Sequence, residues 1–423
     1  MRNHFFSKIS VLAIALCIIS CSKNSTDDPR LPKEVSYKVI AERTLSKTEF
    51  LDSLKSSFIN EEDATLFSKE VPNDMTFDAL TVNYASTDQK GQEVTLSGIV
   101  IIPKVGGKFT AKGIVLNNRA TQISDADVPS HYWNQGTILA AKNYVFVSSD
   151  LIGFGASVDR PVNFCCYHLA GKNTLDLVIA AQQILHEKSR GLGLGETLMP
   201  FYNTGYSQGG YSALAVHRYW ECNATPEEKA MAPLQRSFCG AGPYSLNEMM
   251  NFHFQNGISL YPPYLVLGLM SVMNYHPELF PGYKIEDFLA EEAKEMKIVE
   301  MIREKKTGNK PMIAYVLGKT GIEHSLDYIF KADAMNPEGK LYKVLSAGVA
   351  VENVLEGWVP SQKRITFYHA YMDDCVPSSC TMEAEKAFKT SNMVDFVWNE
   401  DEMEPMLHAT VEKYYNGWLL LML

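Results

Sequence analysis

The chain has no excess of positive charge, no long apolar run after its first twenty residues, no internal repeat and no low-complexity tract. Each absence removes a class of function. Against 39 Lys+Arg stand 49 Asp+Glu, for a formal net charge of −10, and no basic stripe is interleaved with aromatics. The electrostatic footprint that a phosphate backbone requires is therefore missing, and nucleic acid is not an expected partner. The apolar run Ile9 to Ile19 is too short to span a bilayer comfortably. None of the cysteine spacings resembles a zinc site, so no metal is expected, and no cofactor motif stands out.

The first residues do carry an address. A basic start (Arg2, Lys8), the run Ile9 to Ile19 and the small Ser20 have the layout of a secretory signal over residues 1–20. Ile18-Ile19-Ser20-Cys21 resembles the bacterial lipobox, in which the cysteine is diacylated and becomes the mature N-terminus. The expected protein is thus an exported lipoprotein of the outer membrane or cell surface. It would be held to the membrane by acyl chains on Cys21, and 21–43 is read as its tether. Six cysteines then remain: Cys165, Cys166, Cys222, Cys239, Cys375 and Cys380. Export permits disulfides, and Cys375 with Cys380 can close a short loop, but the sequence leaves the pairing open.

The rest of the chain reads as an α/β fold. Leu45, Phe50, Leu51 and Leu54 suit a short amphipathic helix, and residues 78–103 alternate in strand fashion about Asp88-Gln89-Lys90-Gly91. Short apolar strands follow at Gly113 to Leu116, Tyr144 to Ser148 and Phe201 to Gly205, with helices near 134–142 and 172–188. Further strands are expected at Ser237 to Ala241 and Arg364 to His369. Such alternation predicts a mostly parallel sheet flanked by helices. The core is assigned to 44–241 and 360–423. Residues 242–359, rich in Phe, Tyr and Met, are read as a helical lid inserted before the late strands, with a helical domain that merely packs as the alternative.

Gly205-Tyr206-Ser207-Gln208-Gly209 matches G-x-S-x-G between an apolar strand and a small-residue helix, the context a nucleophile elbow requires. A serine hydroxyl is a weak nucleophile, so an imidazole must take its proton and a carboxylate must orient that imidazole. The order in this kind of fold is serine, acid, histidine. His369-Ala370-Tyr371-Met372-Asp373-Asp374-Cys375-Val376-Pro377 is similar to the H-G-x-x-D-x-x-V-P turn of many α/β-hydrolases and selects Asp373 over Asp374. Of the 10 histidines only His408 follows it. Two N–H donors must also face the developing oxyanion. Gln208 supplies one, and Ala120 or Thr121 the other; Arg119 beside them reads as a surface residue.

Four segments together resemble the secretory lipase family of fungi, the yeast lipase A type, and its bacterial α/β-hydrolase relatives, over roughly residues 80–420. They are Ser97 to Pro103, Asp150 to Ser157, Tyr167 to Ala181, and Gly205 to Gly210. The resemblance implies the α/β-hydrolase fold with a helical lid, and hydrolysis of a lipophilic carboxylic ester through an acyl-enzyme. A departure lies at Arg119-Ala120-Thr121, where relatives often carry His-Gly-Thr. The expected substrate is a small-molecule, lipid or glycan ester. A serine peptidase or acyltransferase on the same fold, or a surface binding lipoprotein without catalysis, are the alternatives.

Overall fold

The computed structural model describes residues 31–53, 61–131, 135–190, 198–399 and 407–423. Short, largely buried runs build its central strands. The strands are β1 (Tyr37–Ser46), β2 (Met75–Thr87), β3 (Glu93–Val105), β4 (Lys108–Phe109), β5 (Ile114–Asn118), β6 (Val145–Ser149), β7 (Phe201–Tyr206), β8 (Leu234–Gly240), β9 (Arg364–Ala370) and β10 (Val394–Asn399). They form one sheet in the order β1-β2-β3-β6-β5-β7-β8-β9-β10, with β4 paired to β3. β1, β2 and β3 pair antiparallel, β3 pairs antiparallel with β6, and every pairing from β6 through β10 is parallel. β5 and β6 are buried at every position, as expected of parallel strands covered on both faces.

Alternate residues of each strand feed two apolar layers. Phe367 of β9 and Cys239 of β8 pack with Tyr211 and Leu214 of the helix Gln208–Cys222. Tyr368 and Phe238, one position on or back, pack on the other face with Val411, Tyr415 and Leu419 of the helix His408–Met422. That face also takes Phe50 of the helix Lys47–Ser53, stacked on Phe77 of β2 at 3.8 Å between centroids. A fully buried phenylalanine of this kind stabilises the fold by roughly 1.5–3 kcal/mol.

The expected mostly parallel, helix-flanked sheet is present. Three strands were not anticipated: the two-residue β4, and β1 and β10 at the sheet's edges. β1 starts at Tyr37, so the segment 21–43 does not continue as a tether to its end: its last residues are paired with β2. β1 is exposed along most of its length and carries Lys38, Glu42 and Arg43, the charged edge by which a sheet resists pairing with other chains. β10 is half-buried throughout. Val394, Phe396 and Trp398 alternate along β10, yet none of its residues is fully buried. Within the region read as helical, residues 291–304 form two helices, Glu291–Glu295 and Ile298–Glu304, with Lys297 in a left-handed turn between them.

Between β8 and β9 lies the helical insertion, including Leu246–Asn256, Pro262–Tyr275, Asn309–Thr320 and Lys340–Ala350. Its interior is one apolar cluster of Val266, Leu269, Phe288, Ile302 and others, and this cluster runs on into Ile123, Val128, Phe154 and Val162 of the sheet domain. Pro32–Leu423 accordingly forms a single compact unit. No described helix is long and apolar enough to cross a membrane.

Candidate active site

Ser207 occupies the single residue between β7 and the helix Gln208–Cys222, with φ 60° and ψ −126°. A non-glycine residue rarely adopts such a backbone, and the strain is held only because the surroundings over-determine it. The surroundings are two glycines. A Cβ on Gly205 would sit 2.2 Å from the Gly209 carbonyl oxygen, and one on Gly209 would sit 2.1 Å from the Asn118 carbonyl oxygen. The end of β5 therefore presses directly on the turn, consistent with the register pairing Asn118 with Gly205. Gly209→Ala is expected to force these backbones apart. Denaturant melts should show a loss of about 1–3 kcal/mol, the usual cost of overpacking.

Asp373 lies just beyond the end of β9, in a loop that its own carboxylate helps to fold. Oδ1 accepts the backbone N–H groups of Cys375 and Val376, each at 2.9 Å. Oδ2 faces Nδ1 of His408 at 2.6 Å and accepts the Tyr206 hydroxyl at 3.3 Å. Burial opposes the charge on Asp373, but the His408 imidazole and the N–H donors outweigh it and hold the carboxyl below its usual range. His408 is the mirror case. Burial alone would lower its pKa, yet the Asp373 carboxylate, with smaller contributions from Glu412 and Asp374, raises it above the ordinary 6.5. With Nδ1 bound to a carboxylate, the proton resides there and Nε2 keeps its lone pair. Nε2 is buried and has no hydrogen-bond partner among the described residues.

Three neighbours hold this pair. Tyr206, the residue before the serine, also donates to the His408 carbonyl at 3.1 Å and lies against the imidazole with centroids 4.8 Å apart. Asp374, the carboxylate passed over, accepts the His408 backbone N–H at 2.8 Å and so fixes the start of the terminal helix. His369 is fully buried between Thr381 and the Val376 carbonyl, with burial driving its pKa down to about 4. It braces the Asp373 loop as a neutral ring. The motif marks the positions of Tyr206 and His369, but nothing in the sequence shows what their polar atoms would meet.

Of the two candidates in the β5 loop, Thr121 lines a cavity together with Ser207 and Gln208, whereas Ala120 does not. Gln208 opens a helix of 15 residues, where the first N–H groups lack intrahelical acceptors and the helix dipole favours negative charge. Arg119 is no surface residue. It is 2% exposed, its guanidinium stacks on Phe154 at 4.7 Å, and burial lowers its pKa to about 10, which leaves it a cation at neutral pH.

The cavity measures about 770 Å³ with its mouth. Ser207, Gln208 and Thr121 lie in its wall with Cys375 and Val376, and the insertion lines most of the remainder with Met250, Phe254, Leu269, Phe330 and Val349. The insertion thus covers the serine, at the carboxyl ends of the parallel strands where open α/β sheets bind ligands. All six cysteines of the described part are free, and five are buried. Cys375 and Cys380 form no bridge, and both are buried with Val376 in a small apolar cluster near Met249 and Tyr261. Cys21 lies outside the described residues.

No protein-family model matches the sequence, and no curated protein does. Solved structures match closely in shape. A proposed hydrolase from Legionella pneumophila aligns over 92% of this chain and 97% of its own, with TM-score 0.71 and 17% identity. The rice cell wall degrading esterase LipA from Xanthomonas oryzae aligns over 92% and 95%, with TM-score 0.68 and 18% identity. Candida antarctica lipase A in its closed state aligns over 89% and 78%, with TM-score 0.58 and 17% identity. The fold is that of the α/β-hydrolases.

Proposed function

We propose that this protein is an exported serine carboxylic-ester hydrolase of the lipase and esterase kind, which receives an apolar acyl group in the cavity beneath its cap. His408 Nε2 takes the hydroxyl proton of Ser207 as Oγ attacks the ester carbonyl, and Asp373 holds the resulting imidazolium. The oxyanion is received by the N–H groups of Gln208 and Thr121. Collapse expels the alcohol, protonated by His408, and water then releases the acyl group by the same steps in reverse. The observations that carry the reading are the strained Ser207 in the wall of an apolar cavity and, at the residue before it, Tyr206 bonded to a buried Asp373–His408 pair whose outer nitrogen has no partner among the described residues. A Xanthomonas esterase and a Candida lipase of the same fold lend support. Diacylation of Cys21 would tether the enzyme to the outer membrane or cell surface.

The test is chemical. A fluorophosphonate probe should modify Ser207, located by peptide mass spectrometry, and a panel of p-nitrophenyl esters should show kcat/KM rising from acetyl toward medium acyl chains. Amide and alcohol-acceptor arms of the same panel distinguish a peptidase or acyltransferase. Gly268 lines the cavity, and a Cβ there meets only Phe164 at 3.6 Å. Gly268→Leu should therefore fold normally and reverse the preference toward acetyl, about 0.8 kcal/mol being forfeited for each methylene kept out. Unchanged chain-length preference in this variant would place the acyl group elsewhere.

A further inference from the structure

The loop leaving β5 is gripped from two directions. From the sheet side, Arg119 Nε donates to the Asp150 carbonyl at 3.0 Å, and its Nη1 turns back to donate to the Ala120 carbonyl at 3.2 Å. From the cap, Asn309 donates Nδ2 to the Thr121 carbonyl at 2.5 Å and accepts the Ile123 N–H on Oδ1 at 3.0 Å. Asn309 opens the helix Asn309–Thr320. The cap segment that carries it is fastened nearby: the Lys305 carbonyl accepts the Asp125 N–H, and Lys305 Nζ donates to the Val158 and Arg160 carbonyls.

The Ala120 carbonyl and the Thr121 N–H are opposite ends of one planar trans peptide. Holding the oxygen therefore aims the N–H, and that N–H has no acceptor among the described residues. A cation on the oxygen also polarises the amide and strengthens its hydrogen as a donor. Holding the Thr121 carbonyl fixes the next peptide, so rotation about the Thr121 backbone is restrained from both sides.

We infer that Arg119 and Asn309 are positioning residues which together set the Thr121 N–H as an oxyanion donor, so that the donor is in place only while the cap is seated on the β5 loop. The inference rests on the proposed Ser207 chemistry and goes beyond it by making part of the catalytic machinery a property of the cap.

The experiment uses the full-length protein with Asn309→Ala, Arg119→Lys and the double variant, assayed on p-nitrophenyl acetate, whose short acyl group makes little use of the cap cavity. Asn309 is half-exposed, so its variant is the one least at risk of misfolding. Each single variant should lower kcat about tenfold, short of the 10²–10³ that losing a donor outright costs, with KM within about twofold. Inhibition by a short alkylboronic acid, whose adduct with serine is a tetrahedral anion, should weaken by the same factor. The double variant should lose less than the product of the two, since both act on one peptide. Unchanged kcat in Asn309→Ala, or a rise in KM with kcat intact, overturns the clamp. Should Arg119→Lys not fold, Asn309→Ala alone decides. A parallel Ser207→Ala control separates the two levels: persisting turnover there removes the underlying chemistry, whereas its loss beside a fully active Asn309→Ala removes the clamp alone.

Discussion

Replacing Ser207 with alanine is expected to lower kcat for ester hydrolysis by about 10⁶, the loss seen when the nucleophile of a serine-dependent triad is removed. In the proposed reaction the oxygen deleted is the one that forms the acyl-enzyme. Alanine tolerates the left-handed backbone no better than serine does, so the strain persists and the fold should be nearly as stable. Binding should survive as well, because the apolar wall is untouched. The measurement is a pre-steady-state and steady-state comparison on p-nitrophenyl butyrate, with a thermal melt as the folding control. Turnover within about a hundredfold of the parent would assign the nucleophile to another residue.

Asp373→Asn should cost about 10⁴ in kcat, and the hydrogen bonds around Asp373 explain why the isosteric amide fails. Oδ1 must keep accepting from Cys375 and Val376 N–H. The amide oxygen will take that position, leaving the NH₂ group to face His408 Nδ1. A donor there forces the imidazole proton onto Nε2, the atom that has to accept the serine proton. The pH profile supplies a second readout. His408 acts as base only when neutral, and the Asp373 carboxylate raises its pKa against the effect of burial. In the parent enzyme kcat/KM should therefore climb with pH through a midpoint above 6.5. Without the carboxylate the midpoint should move down while the plateau falls. Asp374→Asn is the contrast: Asn can still accept the His408 N–H that Asp374 accepts at 2.8 Å, so its plateau should stay close to the parent's. The reverse ranking would make Asp374 the orienting acid.

How much of this was legible in the sequence follows from where each residue's partners come from. The strained turn at Ser207 was readable because it needs glycines at fixed offsets, a purely local demand. The pairing of His408 with Asp373 was readable through chain order and the turn after β9, where a carboxylate caps its own loop. The edge strands β1 and β10 were not, since β1 is mostly exposed and carries Lys38, Glu42 and Arg43, and β10 is a run of only six half-buried residues. Arg119 was misread for a related reason. A charged side chain normally signals solvent, and nothing nearby in the chain announces that Asp150, Ala120 and Phe154 would enclose it. Asn309 was beyond reach altogether, being 188 positions from the carbonyl it holds.

The cap's interior continues without a break into Ile123, Val128, Phe154 and Val162, and this has a price in adaptability. Met250, Phe254, Leu269, Phe330 and Val349 belong both to that shared interior and to the cavity wall. If the acyl group enters this cavity as proposed, the side chains that size it are thus the ones that glue the roof to the walls. Evolution cannot enlarge this room by swinging a door. It has to trade volume between neighbouring bricks, so lineages that change their preferred ester should carry paired, compensating substitutions inside the roof rather than new sequences at its hinges.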